Sequence, residues 1–360
     1  MRILILKPSA LGDVVQALPA VAHLARSLPA AEISWLARPE YVPLLERHAP
    51  VRRVIPFERE RLSIARPLEA LGRAAVLVRT LRALRFHAAI DFQGLLRTAA
   101  LALASGAPVR IGFRRLREGA STLYTHPVPV PLRAHRLDAH LRLLAPLGVR
   151  PEDPAIAGGR EPPPPLAIAA AAAEAVAVRL LGPAAPPAGT PVVALCPGAA
   201  LPVKQWPAAA FGRLAAFLIA ARPGLRIIIL GSRAEAPLGA AVAAAAGHGP
   251  PAVSDLAGRT SVLDLAALLR RADVAVAGDS GPLHVAWAVG TPTIALFGPT
   301  DPRRVAPRGA SHRVVLAGPE AGELPCRPCM LRECPLPRRA CLLDLTPERV
   351  AAAVRELLPR

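Results

Sequence analysis

At 360 residues the chain is long enough for two domains of ordinary size, each with a core of its own. Hydrophobic residues make up 52% of it, yet no stretch reads as a membrane span and the N-terminus has no signal-peptide pattern, so a cytoplasmic location is expected. The net charge of +18, almost all arginine, calls for an anionic partner, while a 3% aromatic content with no aromatic and basic interleaving argues against nucleic acid.

The chain opens on the apolar run "RILIL" at 2–6, and "KPSALGDVVQALP" follows at 7–19. A strand giving way to a helix puts Lys7, Ser9, Gly12 and Asp13 in or beside the connecting turn. Asp is a favoured cap residue, so Asp13 reads either as a cap of its helix or as a carboxylate that does chemistry. Further strand runs, "EISWLA" and "HAAIDF", alternate with the helical stretches "VVQALPAVAHLARSL" and "RAAVLVRTLRALR". Strands spaced by helices indicate a parallel sheet with right-handed crossovers, and their near-continuous apolar runs indicate burial on both faces. After one such strand, "IDFQGLLRTA" at 90–99 places Asp91, Gln93 and Arg97, and "RIGFRR" at 110–115 brings Arg114. These side chains form a basic rim suited to gripping an acidic molecule, or they are ordinary surface charges of an arginine-rich chain.

Between about 151 and 190 proline clusters flank an alanine-rich helical stretch, a composition suited to a connector. The alternation then restarts with "TPVVALCPG", "LRIIILGS", "ADVAVAGD" and "TPTIALFGP". The expected fold class is therefore α/β, with two doubly wound domains whose ligands bind at the carboxyl ends of the strands.

Those ends carry the second set of candidate residues. "LCPGAALPVKQWP" supplies Gly198, where backbone can approach phosphate closely, and Lys204. Lys7 and Lys204 are the only two lysines among 44 basic residues, and a retained lysine points to a need for a compact ammonium on a flexible stem. "LGSRAE" ends on Glu235, either a ribose-hydroxyl acceptor or a solvated glutamate. In "GDSGPLH", Asp279 and Ser280 end a strand, Gly281 makes the turn, and Pro282 suits the first helical position, with His284 in the first turn. That helix start offers free N–H groups and the positive end of a dipole to a diphosphate, unless Asp279 or Ser280 merely caps it. "FGPTDP", with Gly298 and Thr300, follows the next strand at the same edge. There is no Walker pattern and no GxGxxG, which weakens ATPase and nicotinamide readings. Cys326, Cys329, Cys334 and Cys341 lie within sixteen positions; a structural zinc or disulfides come to mind, but the x6 spacing of the last pair and a reducing compartment favour reduced thiols in a packing unit.

In this order the motifs resemble glycosyltransferase family 9, the bacterial heptosyltransferases of lipopolysaccharide core assembly. "KPSALGDVVQALPA", "DFQGLLR", "PGAALPVKQWP", "GDSGPLHVAWAVGTPTIALFGPTDP" and the cysteine segment before "LTPERV" carry the resemblance. It implies a GT-B fold of two Rossmann-like domains facing across a cleft. The expected boundaries are an acceptor-binding domain at 1–160, a connector at 161–190, a nucleotide-sugar-binding domain at 191–345 and a C-terminal helix at 346–360. It further implies inverting, metal-independent transfer of heptose from an ADP-heptose donor to a lipid A or inner-core acceptor, with no cofactor. Asp13 matches the general base and Lys204 a donor contact that also serves catalysis; Asp279 matches the donor-sugar contact, and Ser280 and Gly281 the diphosphate turn. Gly198, Glu235, His284, Gly298 and Thr300 complete the expected donor site, and Lys7, Ser9, Gly12, Asp91, Gln93, Arg97 and Arg114 the acceptor site. Pro282 departs from the pattern, standing where relatives often present an N–H. The enzyme is expected to be a monomer held peripherally at the anionic inner face of the membrane. The competing readings are a family 9 enzyme with another nucleotide sugar and a non-catalytic basic protein that binds anionic lipid or nucleic acid.

Overall fold

The computed structural model describes residues 1–58, 67–114, 117–150, 165–318 and 324–359. The chain divides into two compact units, Met1–Gly158 and Gly159–Arg360. The first four residues of the expected connector, 161–164, lie outside the described residues.

In the first unit the elements run β1 (Arg2–Leu6), α1 (Leu11–Ser27), β2 (Glu32–Ala37), α2 (Val42–Leu45), β3 (Val51–Pro56), α3 (Pro67–Ala83), β4 (Ala88–Asp91), α4 (Leu96–Ala104), β5 (Val109–Phe113), β6 (His126–Val128) and α5 (Arg136–Arg142). The six strands form one parallel sheet in the order β3-β2-β1-β4-β5-β6. Ile3, Leu4, Ile5 and Leu6 of β1 are all inaccessible to solvent, as a central strand covered on both faces requires. Leu4, Leu6, Leu36 and Ala89 of the sheet pack with Leu81 of α3 and Ala102 of α4 in one core cluster.

The second unit repeats the plan: α6 (Ala170–Leu181), β7 (Val192–Cys196), α7 (Ala208–Ala221), β8 (Arg226–Ile229), α8 (Ala236–Ala246), β9 (Val253–Asp255), α9 (Val262–Arg271), β10 (Val274–Gly278), α10 (Gly281–Ala288), β11 (Thr293–Leu296), α11 (Pro302–Val305), β12 (His312–Val315), α12 (Ala340–Leu343) and α13 (Pro347–Leu357). Its sheet, also parallel, runs β12-β11-β10-β7-β8-β9. In both sheets the first and fourth strands of the unit are neighbours. Strand order reverses there, so the crevice beyond the carboxyl ends of β1 and β4, and of β7 and β10, is where an open α/β sheet binds its ligand.

The alanine-rich stretch expected as part of a connector is α6, and it docks on α9 of the second unit. Glu174 Oε2 accepts from Arg271 Nε at 2.8 Å, and Arg179 pairs with Asp264. The C-terminal helix α13 buries Val350, Ala351 and Val354 in the same core as Trp206 and Phe211. Trp206 Nε1 donates to the Leu345 carbonyl at 2.9 Å, tying the loop after β7 to the segment that enters α13. Among the described residues no helix is long and apolar enough to cross a membrane.

Candidate active site

At the first switch point, Asp13 is the third residue of α1; Ala10 occupies the cap position and no side chain caps that end. The carboxylate therefore does not cap its own helix in the way its residue type allows. Its Oδ2 lies 3.7 Å from Lys7 Nζ, and 39% of the side chain stays open to solvent. Lys7 is only 3% exposed. Burial lowers its pKa, opposed by the negative charge of Asp13 and reinforced by the positive charge of Arg136. Lys7, expected at an acceptor, is enclosed beside Asp13.

Asp91 was also expected to touch an acceptor, and the structure gives it another task. The side chain is fully buried at the end of β4. Oδ1 accepts from the N–H groups of Gln93 and Gly94 at 2.8 and 2.9 Å, and Oδ2 accepts from the Tyr124 hydroxyl at 2.8 Å. Burial raises the carboxyl pKa, and these hydrogen bonds oppose the rise. Asp91 thus folds the turn that presents Gln93 and the exposed Arg97 at the carboxyl edge. The Tyr124 ring reaches it by crossing Gly112, where a Cβ would stand 2.3 Å from the ring. Ser9 and Gly12 are half-buried around the turn before Asp13, and Arg114 is exposed just after β5.

Sequence reasoning missed Tyr124, His140 and Arg136. Tyr124 lies 33 residues beyond its partner, with no local pattern to link them. His140 is wholly buried beneath the same edge, its ring 4.9 Å from that of Phe92. Burial first, then Lys7 and Arg136, push its pKa well below the usual value, so it is neutral. The mixed run "HRLDAHLR" was the available signal for Arg136 and His140.

At the second switch point Lys204 ends a 3-10 turn at Pro202–Lys204, and its Nζ donates to Asp279 Oδ2 at 2.7 Å. His284 Nε2 stands 3.8 Å from Asp279 Oδ1. Burial alone would raise the Asp279 carboxyl, but the hydrogen bond from His284 and the charge of Lys204 outweigh it and hold the group well below the usual carboxylate range. The turn needs Gly278, because a Cβ there would stand 3.0 Å from the Lys204 carbonyl oxygen. His284 itself is 4% exposed, so it braces Asp279 from behind.

The capping alternative for Asp279 and Ser280 fails. Asp279 is committed to Lys204, and Ser280, at the cap position of α10, makes no side-chain cap bond. Its buried Oγ has no hydrogen-bond partner, and neither has Thr300 Oγ1 in the loop after β11. A buried hydroxyl without a partner costs free energy that an incoming ligand oxygen repays. Helix α10 begins at Gly281, so Pro282 is its second residue and not its first. Missing an N–H at that point leaves the Gly281 and Leu283 amides as the usable donors of the first turn.

Gly198 is buried after β7, and a Cβ on it would lie 1.9 Å from Glu235 Oε1. Glu235 Oε2 accepts from the Ser232 N–H at 2.7 Å and the Ser232 hydroxyl at 2.8 Å, closing a capping box after β8. Gly198, expected beside a phosphate, and Glu235, expected at a ribose, therefore form one contact. Gly298 faces Leu342 of α12, whose Cγ is 2.7 Å from a Cβ built there, so it serves close packing of the loop after β11. Cys341 lies beside that glycine; burial, with the three neighbouring cysteines, raises its thiol pKa. Among the described residues no group of three or more His, Cys, Asp or Glu side chains is placed to hold a metal ion.

Known heptosyltransferases align with nearly the whole chain. Lipopolysaccharide heptosyltransferase 1 of Pseudomonas aeruginosa is 29% identical, over 99% of this chain and 98% of that protein. The structure of Escherichia coli heptosyltransferase WaaC with ADP-2-deoxy-2-fluoro heptose is 25% identical, with a TM-score of 0.73 over 99% of each chain. The fold is shared as well with E. coli ADP-heptose lipopolysaccharide heptosyltransferase II, at a TM-score of 0.74 and 24% identity over 99% of this chain and 98% of that one. The two parallel six-stranded sheets are those of a GT-B glycosyltransferase. The model of glycosyltransferase family 9 (heptosyltransferase) matches residues 74–338, which takes in Asp91, Lys204 and the Asp279 turn, and the chain belongs to that family.

Proposed function

We propose that this enzyme transfers a heptose from an ADP-heptose donor to an acidic sugar acceptor of the lipopolysaccharide inner core, with inversion at the anomeric carbon and without a metal. The observation that carries the reading is the Lys204, Asp279 and Ser280 arrangement at the second switch point: an ammonium, an unpartnered hydroxyl and a helix start placed as a diphosphate requires. The curated relatives named for lipopolysaccharide heptosyl transfer and the ADP-heptose analogue held by WaaC support the choice of donor.

In this mechanism the Asp13 carboxylate takes the proton of the acceptor hydroxyl as that oxygen attacks the anomeric carbon. The new carbon–oxygen bond forms while the bond to the diphosphate breaks, and ADP leaves with the electron pair. Lys204, the Ser280 hydroxyl and the Gly281 N–H meet the charge that develops on the diphosphate, and this fixed positive environment replaces the metal that other transferases use. Asp279, locked as a carboxylate by His284 and Lys204, accepts from donor-sugar hydroxyls. Glu235 accepts from the ribose, with Gly198 giving it room. Gln93, Arg97 and Arg114 face the acceptor, while Lys7 and Asp91 position Asp13 and the 93–97 turn. The basic surface favours peripheral attachment to the anionic inner face of the membrane, and a monomer suffices for this chemistry.

Purified protein is offered a panel of sugar nucleotides together with lipid A precursors, and ADP or other nucleotide release is followed. Release with ADP-heptose alone is expected; turnover with a different donor and none with ADP-heptose overturns the donor assignment. Asp13→Ala should abolish turnover with folding and donor binding retained, whereas undiminished activity would remove Asp13 as base.

A further inference from the structure

His140 of α5 is wholly buried, and its two ring nitrogens are served unequally. Nδ1 lies 3.3 Å from the Gln16 carbonyl oxygen. A carbonyl can only accept, so Nδ1 carries the proton and Nε2 keeps a bare lone pair. That Nε2 is buried without a hydrogen-bond partner. Leaving a desolvated acceptor unsatisfied costs free energy, and such a group in a folded protein calls for an explanation. A donor in the complementary condition stands nearby. Lys7 is 3% exposed, and among the described residues its ammonium has one side-chain partner, Asp13 Oδ2 at 3.7 Å, beyond hydrogen-bond length. Its N–H donors are thus enclosed short of an acceptor.

The fold sets these two side chains against the same place. Lys7 directly follows β1, and the N–H of Phe92, the first residue after β4, donates to the Leu6 carbonyl at 3.1 Å. The His140 ring packs 4.9 Å from the Phe92 ring and 6.5 Å from that of Phe113 at the end of β5. The Lys7 charge depresses the imidazole pKa more than that of Arg136, which lies one turn earlier on α5. Besides Asp13, the other charged or titratable groups acting on the pair are Asp91, Arg136 and His135. Asp91 is already taken by two backbone amides and the Tyr124 hydroxyl, so the imidazole is the acceptor left for the lysine.

We infer that His140 is a positioning residue for the proposed base: its Nε2 accepts from the Lys7 ammonium and steadies it beside Asp13, while its Nδ1–H holds the Gln16 carbonyl. The inference rests on the reading of Asp13 as general base, and His140 itself touches no substrate. The bond to Nε2 forms by rotation of the flexible lysine stem, and an ammonium with three donors serves the carboxylate and the imidazole at once. Gln16 stands one turn beyond Asp13 on α1, so both bonds of one imidazole act on the placement of one carboxylate.

Two measurements on the full-length enzyme test this, one of them independent of turnover. His140→Phe removes both nitrogens and keeps a ring against Phe92. It is expected to lower kcat about tenfold to a hundredfold, as a displaced catalytic group does, with donor and acceptor KM unchanged. His140→Gln puts an amide oxygen at the Nε2 position and should recover most of kcat, whereas His140→Asn reaches only Gln16 and should not. A His140→Gln enzyme no faster than His140→Phe, or a His140→Phe enzyme with parental kcat, overturns the inference. The second measurement is nitrogen NMR of the enzyme with isotopically labelled histidine and no substrate, the His140 signals being assigned by their loss in His140→Gln. A bare imidazole nitrogen shifts upfield when it accepts a hydrogen bond, so Lys7→Met should move the Nε2 resonance downfield. An unmoved Nε2 resonance, or a proton on Nε2 in the parent enzyme, overturns the inference, and the second reading needs no variant to fold. Asp13→Ala is assayed alongside. If it retains full activity the base assignment fails by itself, while the Nε2 response to Lys7→Met still supports or refutes the bond between Lys7 and His140.

Discussion

Replacing Lys204 by methionine keeps the aliphatic stem and removes the ammonium that Asp279 holds at 2.7 Å. The partners' side chains are 23% and 12% exposed, so the carboxylate left behind is largely desolvated. Breaking a buried pair by removing one member costs about 3–5 kcal/mol. The expected cost here is about 3 kcal/mol, at the low end of that range, because His284 still faces the other carboxylate oxygen at 3.8 Å. The same change removes a positive group from the departing diphosphate, and losing one preorganised donor of developing charge lowers kcat by about 10²–10³. Urea unfolding and ADP-release kinetics read the two effects separately. The double variant Lys204→Met/Asp279→Asn removes the stranded charge and should regain about 1–2 kcal/mol of stability while recovering no activity. A Lys204→Met enzyme with wild-type kcat would refute the role at the diphosphate. A double variant no more stable than Lys204→Met would refute the argument that Asp279 is desolvated and dependent on the lysine.

Gly198→Ala places a Cβ 1.9 Å from Glu235 Oε1, so the carboxylate must leave its capping box; donor KM should rise, and urea unfolding should show a loss of about 1–3 kcal/mol. Tyr124→Phe strands Asp91 Oδ2 in a fully buried site, with an expected loss of about 1–3 kcal/mol and a KM effect confined to the acceptor. Asp279 has its folded pKa depressed, so its contribution to stability is fully present above the unfolded value of about 4 and is lost as pH falls through the folded value. Urea midpoints taken from neutral pH into that acid range should therefore fall less steeply for Asp279→Asn than for the parent. Lys7→Arg forces a larger, forked cation into a site 3% exposed; thermal unfolding should show a loss of about 1–3 kcal/mol, where an exposed site would show no change.

The strands legible in the sequence are β1, β2, β4, β7, β8, β10 and β11, all but one of the eight inner strands of the two sheets. These lie under helices on both faces and read as unbroken apolar runs. Three of the four edge strands escaped that test because solvent reaches them, and the fourth, β9, is only three residues long. β3 alternates as "VRRVIP" with both arginines exposed, β12 is "HRVV", and β6 tolerates Pro127, as an edge can. β5, the missed inner strand, contains Arg110 and Gly112, the latter kept bare for the Tyr124 ring. The placement of candidate residues was legible where residue type and a strand-end turn coincide, as for the aspartate–lysine pairs of Asp13 with Lys7 and Asp279 with Lys204. Burial was not legible at Asp91 and Lys7, where it depends on elements far along the chain. A carboxylate in a polar turn looks the same in sequence whether it faces a substrate or, as Asp91 does, two backbone amides and a tyrosine.

The scarcity of lysine has a structural counterpart. The two lysines occupy equivalent places, each beyond the carboxyl end of the first strand of its unit and each beside an aspartate at the reversal of strand order. In a chain that uses arginine for every other side-chain positive charge, what these places share is an adjacent aspartate. Lys7 is shut in by α1 and the α5 residues Arg136 and His140, and the Lys204 backbone lies against Gly278. A planar guanidinium needs room for its fork and fixes two partners at once, whereas an ammonium fits the space and keeps donors in hand. The difference between the pair then follows from exposure. Lys7, enclosed, lies 3.7 Å from Asp13, whose side chain stays 39% open. Lys204, with 23% of its side chain exposed, satisfies Asp279 and still presents a face to a phosphate. One fold, used twice, thus sets an enclosed lysine beside an open carboxylate and a partly open lysine beside an enclosed one.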